Sequence, residues 1–357
     1  ARYFVGILFI FSGIVKANDP LGFSYKLEEY FEEFATILGG HWHFLEHFLH
    51  LCNDYALPQA IFIVVLEVVL GVAIIVRFKT RITATLLLLL IVFFTILTFA
   101  SAQYEIVKSC GCFGDAIPLT PWESFIKDVV LLVLILIIFI RQKAISVSET
   151  GVNDFVLAVV GGLVMLKLSY DLEWFFPFWF TVIALGAFFL IRLVEHKRAP
   201  WITTVLSTVA MGFFTFYTYS YLPVKDFRAY ATGKSISEQM EGVPDKLKYY
   251  YILRDKETGK EQEFEKFPEN YQERYEYVDS RTEIIEKGIE PKITDFAIMA
   301  ADGEDLTEDF LSSDSFSFIL ISTDLDKSVT QVQPRINDLA KALQGKGYRF
   351  VGLTASS

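Results

Sequence analysis

Two cysteines separated by a single glycine stand out for their redox chemistry. Cys110 and Cys112 lie in the loop KSCGCFGDAIPLTP, between two long apolar runs. A disulfide between them would close a small, strained ring, and strained, exposed disulfides are the reactive ones. The pair could therefore be a redox-active dithiol, or a structural bridge could join Cys52 to one of them. Spacing alone favours the structural bridge, although the third cysteine also suits a relay by thiol–disulfide exchange.

Three charged residues lie inside or at the edge of apolar runs. Glu67 is near the middle of IFIVVLEVVLGVAIIV, Lys16 ends the first run, and Asp128 lies about two turns into the fourth. Helical side chains lean toward the N-terminus of their helix, which points Lys16 toward Glu67 and Asp128 toward the CGC loop. A charge at this depth marks function or a buried partner. We expect a Lys16–Glu67–Asp128 network that either fixes the helix register or binds a ligand.

Four of the five histidines lie within ten residues, 41–50, which include the segment HFLEHFLH. His43, Glu46, His47 and His50 share one predicted helical face, and HFLEH matches the H-x-x-E-H pattern of inverted zinc peptidases. No third metal ligand is identifiable, and aromatic and leucine residues interleave with the polar ones. This pattern favours a helix lying in the membrane interface, and no metal is expected.

Composition indicates an integral membrane protein. Of 357 residues, 53% are hydrophobic and 34 are Phe, and the mean hydropathy is +0.39. The net charge of −11 excludes a generic nucleic-acid-binding protein. Seven segments are long and apolar enough to be predicted as membrane spans, at about 2–17, 58–77, 82–104, 122–141, 152–169, 176–194 and 201–221.

Positive charge predicts the orientation of these spans. Clusters of Lys and Arg fall on one side of a seven-span arrangement, at Arg2, Arg77, Lys79, Arg81, Arg141, Lys143, Arg192, Lys197 and Arg198. That side is predicted to be cytoplasmic. All three cysteines and everything after Tyr221 then face the periplasm of a bacterial inner membrane, where disulfides persist.

The chain after Tyr221 is polar and acidic. KYYYILRD–KETGK–EQEFEKF predicts a β-hairpin, and SFSFILIST, a helical stretch and YRFVGLTA predict a strand–helix–strand unit with buried, parallel strands. Where a thioredoxin-type domain carries Cys-x-x-Cys, this chain has ISTDLDKS. The tail is therefore expected to bind partners rather than to exchange disulfides.

The N-terminal part resembles DoxX-like and MauE-type membrane proteins. Three parts of the chain carry the resemblance: the segment GILFIFSGIVKANDPLGFSYKLEEYF, the pair Glu67 and Gly71, and CGCFGD followed by PWESFIKD. The matching residues are Gly6, Phe9, Ser12, Gly13, Lys16, Asp19, Pro20, Glu67, Gly71, Cys110, Gly111, Cys112, Phe113, Gly114, Trp122, Lys127 and Asp128. The segment LPVKDFRAYATGKSI resembles the part that follows the membrane domain in such proteins of Bacteroidota.

The resemblance implies a four-helix bundle with a redox-associated role. MauE-type proteins are linked to disulfide formation in a periplasmic partner, and other DoxX relatives to quinone reduction. On this basis Cys110, Cys112 and Cys52 are candidate redox residues. The candidate quinone-binding residues are Lys16, Glu67, Asp128, Ser12 and Trp122.

The predicted architecture is an α-helical multi-pass membrane protein with a periplasmic α/β, thioredoxin-like tail. Its predicted parts are a DoxX-like domain at 1–145 with an interfacial helix, three further spans at 146–221, a strand-rich region at 222–290 and a partial thioredoxin-like domain at 291–357. The predicted function couples the CGC pair to membrane quinone, with a periplasmic thiol protein as partner. The alternative is a non-catalytic subunit or assembly factor of a larger envelope complex, bound through the acidic tail.

Overall fold

The structure is a computed structural model that divides into two units, Ala1–Arg228 and Ala229–Ser357. It describes residues 1–39, 43–104, 113–147, 151–269, 271–286, 288, 291–294, 296–300, 302–313, 316–322 and 332–354. Each unit is taken by itself below.

The first unit is helical. Its helices are α1 (Arg2–Asn18), α2 (Pro20–Gly39), α3 (His43–Asp54), α4 (Ala56–Val76), α5 (Thr80–Tyr104), α6 (Pro121–Ile140), α7 (Gln142–Val147), α8 (Val152–Asp171), α9 (Phe176–Val194) and α10 (Ala199–Tyr221), with a 3-10 turn at Gly114–Ala116. A helix occupies each of the seven predicted spans.

Length and composition qualify five of the described helices to cross a membrane, namely α4, α5, α8, α9 and α10. The bent pair α1–α2 passes the same test together, which gives up to six. The remaining predicted span coincides with α6, which is 20 residues long but carries Glu123, Lys127 and Asp128 in its first half. The chain is thus a multi-pass membrane protein, and a crossing by α6 stays a prediction.

A sharp kink separates α1 from α2. Asp19 leaves the helical conformation, with φ −136° and ψ 75°, because the ring of Pro20 disfavours a helical residue before it. The Asp19 carboxylate then accepts a hydrogen bond from the Gly22 N–H at 2.9 Å, which caps the new helix. The two helix axes meet at 97°, so Lys16 lies in the last turn of α1, just before the kink.

Helices α1 and α4 pack backbone against backbone. A Cβ atom on Gly71 would lie 2.7 Å from the Gly6 carbonyl oxygen, and one on Gly6 would lie 2.4 Å from Ile75 Cγ1. Only glycine allows this approach, as in small-residue contacts between membrane helices. The close contact brings the end of α1 beside the middle of α4.

Helices α8 to α10 belong to the same unit as the helices before them. Gly161 of α8 faces Ile7 of α1, and the Thr218 hydroxyl of α10 donates to the Ala17 carbonyl at 2.6 Å. The Asn18 Oδ1 accepts from the Val224 N–H at 3.0 Å. The extra helices are therefore attached to α1 along its length.

The second unit contains the predicted hairpin. β1 (Lys246–Asp255) pairs antiparallel with β2 (Glu261–Phe264), and Gly259 supplies the positive φ of the turn, +68°. Asp255 accepts hydrogen bonds from the turn, which lower its pKa to about 2. A further strand, β3 (Tyr275–Glu286), pairs on the other side of β1. For the residues of β3 the sequence predicts only a strand-rich region, at 222–290, and not an individual strand.

The predicted strand–helix–strand unit is present, but its strands are not buried. β4 (Phe316–Ser322) and β5 (Tyr348–Thr354) are parallel, with α14 (Gln333–Leu343) between them in sequence. Short helices α11 (Ile236–Met240), α12 (Tyr271–Arg274) and α13 (Thr307–Leu311) complete the unit. Phe316 is 75% exposed and Ile321 is 73% exposed, so the prediction of a buried strand is wrong for the described structure. A two-stranded sheet has too few neighbours to cover both its faces.

We predict that Gly71→Val destabilises the first unit. Two added methyl groups would collide with the α1 backbone, and overpacking of this kind costs about 1–3 kcal/mol. Thermal unfolding in detergent would show a lower midpoint. Gly162→Val is the matched control, because a Cβ at Gly162 meets nothing within 4 Å. Equal midpoints for the two variants would contradict the close contact of α1 with α4.

Candidate functional site

Lys16 and Glu67 form a buried ion pair between α1 and α4. Lys16 Nζ donates to Glu67 Oε1 at 2.6 Å, and each side chain is only 3% exposed. Ser12, one turn before Lys16 on the same face, donates to Glu67 Oε2 at 3.3 Å. Both carboxylate oxygens are thereby satisfied, as a buried charge requires. This confirms that Lys16 and Glu67 meet, as their positions in the sequence predicted.

Aromatic rings enclose the Lys16 ammonium. Its nitrogen lies 4.3 Å from the centroid of the Phe94 ring and 5.1 Å from that of Phe23. The negative faces of these rings stabilise a cation that is almost fully buried. The sequence did not identify either ring, because Phe is abundant throughout this chain.

Asp128 has a different partner from the one expected. Its Oδ1 accepts from Lys127 Nζ at 2.5 Å and its Oδ2 from the Thr98 hydroxyl at 3.1 Å, and the residue is 1% exposed. Lys16 therefore pairs with Glu67, and Lys127 pairs with Asp128. Lys127 and Thr98 were not among the predicted site residues.

A capping box determines where Asp128 lies. Thr120 Oγ1 accepts from the Glu123 N–H at 3.3 Å, and the Glu123 carboxylate accepts from the Thr120 N–H at 2.9 Å, just before Pro121 at the start of α6. This fixed beginning sets the helical register that turns Asp128 toward α5.

The two ion pairs line one small cavity. We call Lys16, Glu67, Lys127 and Asp128 the ion cluster. The cavity between them has a volume of about 20 Å³, and Ser12 and Phe113 also line it. A cavity of this size and polarity has room for a single water molecule. The predicted network thus exists as two pairs around a shared cavity.

The chain just after the CGC motif is anchored on this cluster. The Phe113 ring lies 5.6 Å from the Phe11 ring and 5.4 Å from Lys127 Nζ, measured to ring centroids. Phe113 is the residue that follows Cys112 in the sequence. Cys110 and Cys112 themselves lie outside the described residues.

Cys52 is a free, partly buried thiol among the described residues. Burial raises the pKa of this thiol, so its thiolate is scarce at neutral pH. Because the thiolate is the nucleophile, Cys52 is the poorer candidate for exchange chemistry.

Trp122 is not part of the cluster. It is 52% exposed and packs edge-on against Phe125 at 6.0 Å. Its position at the beginning of α6 is typical of an aromatic residue at a membrane interface.

The histidine segment forms α3, with His43 97% exposed and 3.4 Å from Glu46. Phe44 is 85% exposed and Phe48 50%, and α4 begins two residues after α3 ends. Among the described residues, no three His, Cys, Asp or Glu side chains are grouped closely enough to hold a metal. An interfacial position for α3 stays a prediction.

A second buried charge cluster was missed by sequence analysis. Asp154 at the start of α8 accepts hydrogen bonds from Arg2 and, at 2.6 Å, from Arg77 Nη2. The Tyr3 hydroxyl also donates to it, at 3.2 Å. The sequence feature that could have revealed this cluster is a single acidic residue in the first turn of an apolar helix, on the side of the membrane predicted to carry Arg2 and Arg77. This contact joins α8 to the ends of α1 and α4.

Comparison with protein families identifies the part of the chain that holds the ion cluster. Residues 1–141 match the family model described as methylamine utilisation protein MauE. We call this segment, which is similar to that family, the MauE domain. No curated protein and no solved structure matches the chain. The match runs from α1 to the end of α6 and includes every residue of the ion cluster and the CGC loop.

The family match confirms one half of the resemblance noted in the sequence. The chain is a multi-pass membrane protein whose residues 1–141 are similar to the MauE family, and helices α8 to α10 and the second unit lie outside the matched residues. The more specific likeness to DoxX proteins remains a prediction.

A quinone does not fit the cavity at the ion cluster as the helices pack here. The volume of about 20 Å³ is that of one water, and the Phe113 ring is part of the lining. The reaction proposed below therefore includes no quinone step at Lys16, Glu67 and Asp128.

We predict that Glu67→Gln strongly destabilises the protein. It would leave the Lys16 ammonium buried without a counter-charge, and breaking a buried pair in this way costs about 3–5 kcal/mol. The single variants Lys16→Met and Glu67→Leu should each lose several kcal/mol in the same way, whereas the double variant Lys16→Met/Glu67→Leu should lose much less than their sum, because both charges are gone. Denaturant unfolding in mixed micelles measures this cycle. Lys167→Met, which breaks the exposed pair with Asp171, is the control and should cost at most about 1 kcal/mol. A double variant as unstable as the sum of both single ones would contradict the pairing.

Asp154→Asn should loosen α8 from the MauE domain. Arg2 and Arg77 would then face each other without the carboxylate that neutralises them. We expect faster protease cleavage between α7 and α8 and a lower unfolding midpoint. Asp171→Asn, at the exposed end of the same helix, serves as the matched control. If both variants were cut at the wild-type rate, Asp154 would not be what attaches α8.

Proposed function

We propose that this protein exchanges disulfides with a thiol protein through Cys110 and Cys112. The observation that carries the proposal is the anchoring of Phe113, the residue after Cys112, on the ion cluster inside the MauE domain. A loop that only connected two helices would need no such fixed attachment. A reactive pair does, because exchange depends on the direction from which a sulfur is attacked.

The proposed step balances without a further reagent. A partner thiolate attacks one sulfur of the Cys110–Cys112 disulfide, that bond breaks, and a mixed disulfide forms. The second thiolate of the partner then attacks the partner's own sulfur in the mixed disulfide, and the Cys110 or Cys112 thiolate leaves. The partner leaves as a disulfide, and two electrons and two protons remain on Cys110 and Cys112.

The ion cluster contributes by position in this proposal. Lys127 lies beneath the Phe113 ring and is held by Asp128, so the attachment point of the loop is fixed on α6. Phe11 of α1 packs on the same ring. The pair Lys16–Glu67 holds α1 against α4 from the other side. The loop therefore starts from a base formed by three helices.

The exchange site is proposed to face the periplasm of a bacterial inner membrane. Two observations support this orientation. The first is the distribution of Lys and Arg along the sequence. The second is that Arg2 and Arg77, which both bind Asp154, lie at the opposite end of the first unit from Asn18 and Gly114. An oxidising compartment would keep the Cys110–Cys112 disulfide available to partners.

We predict that the two cysteines of the CGC motif form mixed disulfides and that Cys52 is dispensable. The full-length protein in nanodiscs, converted to the disulfide form with diamide, would be mixed with N-acetylcysteine amide, and adducts would be mapped by mass spectrometry. The wild type and Cys52→Ser should both carry the adduct on Cys110 or Cys112. Cys110→Ser/Cys112→Ser should lose it.

Two results would contradict this proposal. One is a folded wild-type protein that forms no adduct, which would make the CGC motif inert. The other is an adduct on Cys52 alone, which would place the chemistry on α3 instead of the CGC motif. Circular dichroism of each variant establishes that its helices are intact.

A further inference from the structure

A polar cleft lies beside the kink between α1 and α2. Its walls are the kink with the first turns of α2, the 3-10 turn Gly114–Ala116, and residues 223–228, which we call the connecting segment. Its volume is about 450 Å³, within the range of about 300–1,000 Å³ usual for ligand sites. All three walls belong to the first unit.

The walls of the cleft are held in place by buried contacts. Asn18 is 2% exposed, and its side chain accepts from the N–H groups of Val224 and Lys225 and donates to the Lys225 carbonyl at 2.7 Å. Thr218, in the last turn of α10, holds the Ala17 carbonyl. A preformed cleft loses little conformational entropy when a ligand enters.

The lining of the cleft combines both signs of charge with an apolar floor. Lys26, Lys225 and Arg228 supply cations. The carboxylates come from Asp19, Asp115, Glu29, which pairs with Lys26, and Asp226, which pairs with Arg228. Desolvation and the neighbouring Asp19 carboxylate raise the pKa of Asp115. The apolar part of the lining comes from Val15, Leu21, Phe23, Ala116 and Phe227.

This lining suits a stretch of polypeptide. An acyl chain would remove water from these ion pairs without offering them any hydrogen bond, and a single small ion would leave most of the volume of the cleft empty. An extended peptide presents both N–H donors and carbonyl acceptors, and its side chains can cover an apolar floor. The ion cluster also connects here, because Lys16 lines both the cleft and the small cavity.

The cleft is next to the CGC motif along the chain. Gly114 and Ala116 line it, and Gly114 is the second residue after Cys112. We propose that the cleft binds the cysteine-bearing peptide segment of the thiol partner and presents its thiol to the Cys110–Cys112 disulfide. This inference rests on the proposed exchange function and adds the class of substrate.

Two thiol probes of different size test the cleft. The full-length protein in nanodiscs, in the disulfide form, would react with N-acetylcysteine amide or with the neutral tetrapeptide acetyl-Ala-Cys-Ala-Ala-amide. We expect the tetrapeptide rate to saturate with concentration and to exceed that of the small thiol by about tenfold at low concentration, equivalent to about 1.4 kcal/mol of binding.

A variant that fills the cleft provides the comparison. Leu21→Trp should remove most of the tetrapeptide's advantage while leaving the small-thiol rate within about twofold of the wild type. Leu193→Trp is the matched control, because Leu193 is 83% exposed on α9 and does not line the cleft. Leu21→Ala, which widens the cleft, should keep the advantage.

The outcomes separate the two proposals. If the small thiol reacts but the tetrapeptide rate is linear and no faster, the cleft is not the substrate site and the exchange function stands. The same conclusion follows if Leu21→Trp behaves like Leu193→Trp. If neither thiol reacts with a folded protein, the exchange function is overturned and this inference with it.

Discussion

The buried pair between Lys16 and Glu67 is the interaction on which the rest of the first unit depends. Two charges removed from water are tolerated only when their geometry satisfies every donor and acceptor. Here that geometry requires the end of α1 to touch the middle of α4, at 2.6 Å between nitrogen and oxygen. Gly6 and Gly71 are needed for the same reason, because larger side chains would hold the two helices apart. A packing constraint and an electrostatic one therefore select the same arrangement.

This contact between α1 and α4 is linked to further contacts at both ends of the first unit. At one end, the kink after Asn18 places Lys16 beside the cavity, and Asn18 holds the connecting segment that forms a wall of the cleft. At the other end, Asp154 joins α8 to Arg2 and Arg77. The helices outside the MauE match are thus attached to α1 near both its ends. They complete the cleft, because the connecting segment follows directly on α10.

The sequence predicted the helices, the hairpin and the Lys16–Glu67 contact well, because each depends on local patterns or on a single costly charge. It predicted Asp128 less well. A helical position shows the side on which a carboxylate lies, but Lys127 and Thr98 were selected by the packing of α5 against α6. Asp154 was missed because its partners are distant in sequence and were interpreted only as markers of membrane orientation. The sequence pattern of β4 predicts a strand but does not show whether that strand is buried, because its burial depends on the layers that pack against it.

The central claim is that the CGC motif is a working redox pair on a rigid base, and thiol trapping in living cells tests it most directly. Cells expressing the full-length protein would be quenched with acid, and free thiols would be labelled with a maleimide of high mass. The account predicts that Cys110 and Cys112 are found as a mixture of dithiol and disulfide that shifts toward the dithiol when the growth medium is made reducing. A pair that stays entirely in one form under both conditions would contradict the account and show the motif to be structural.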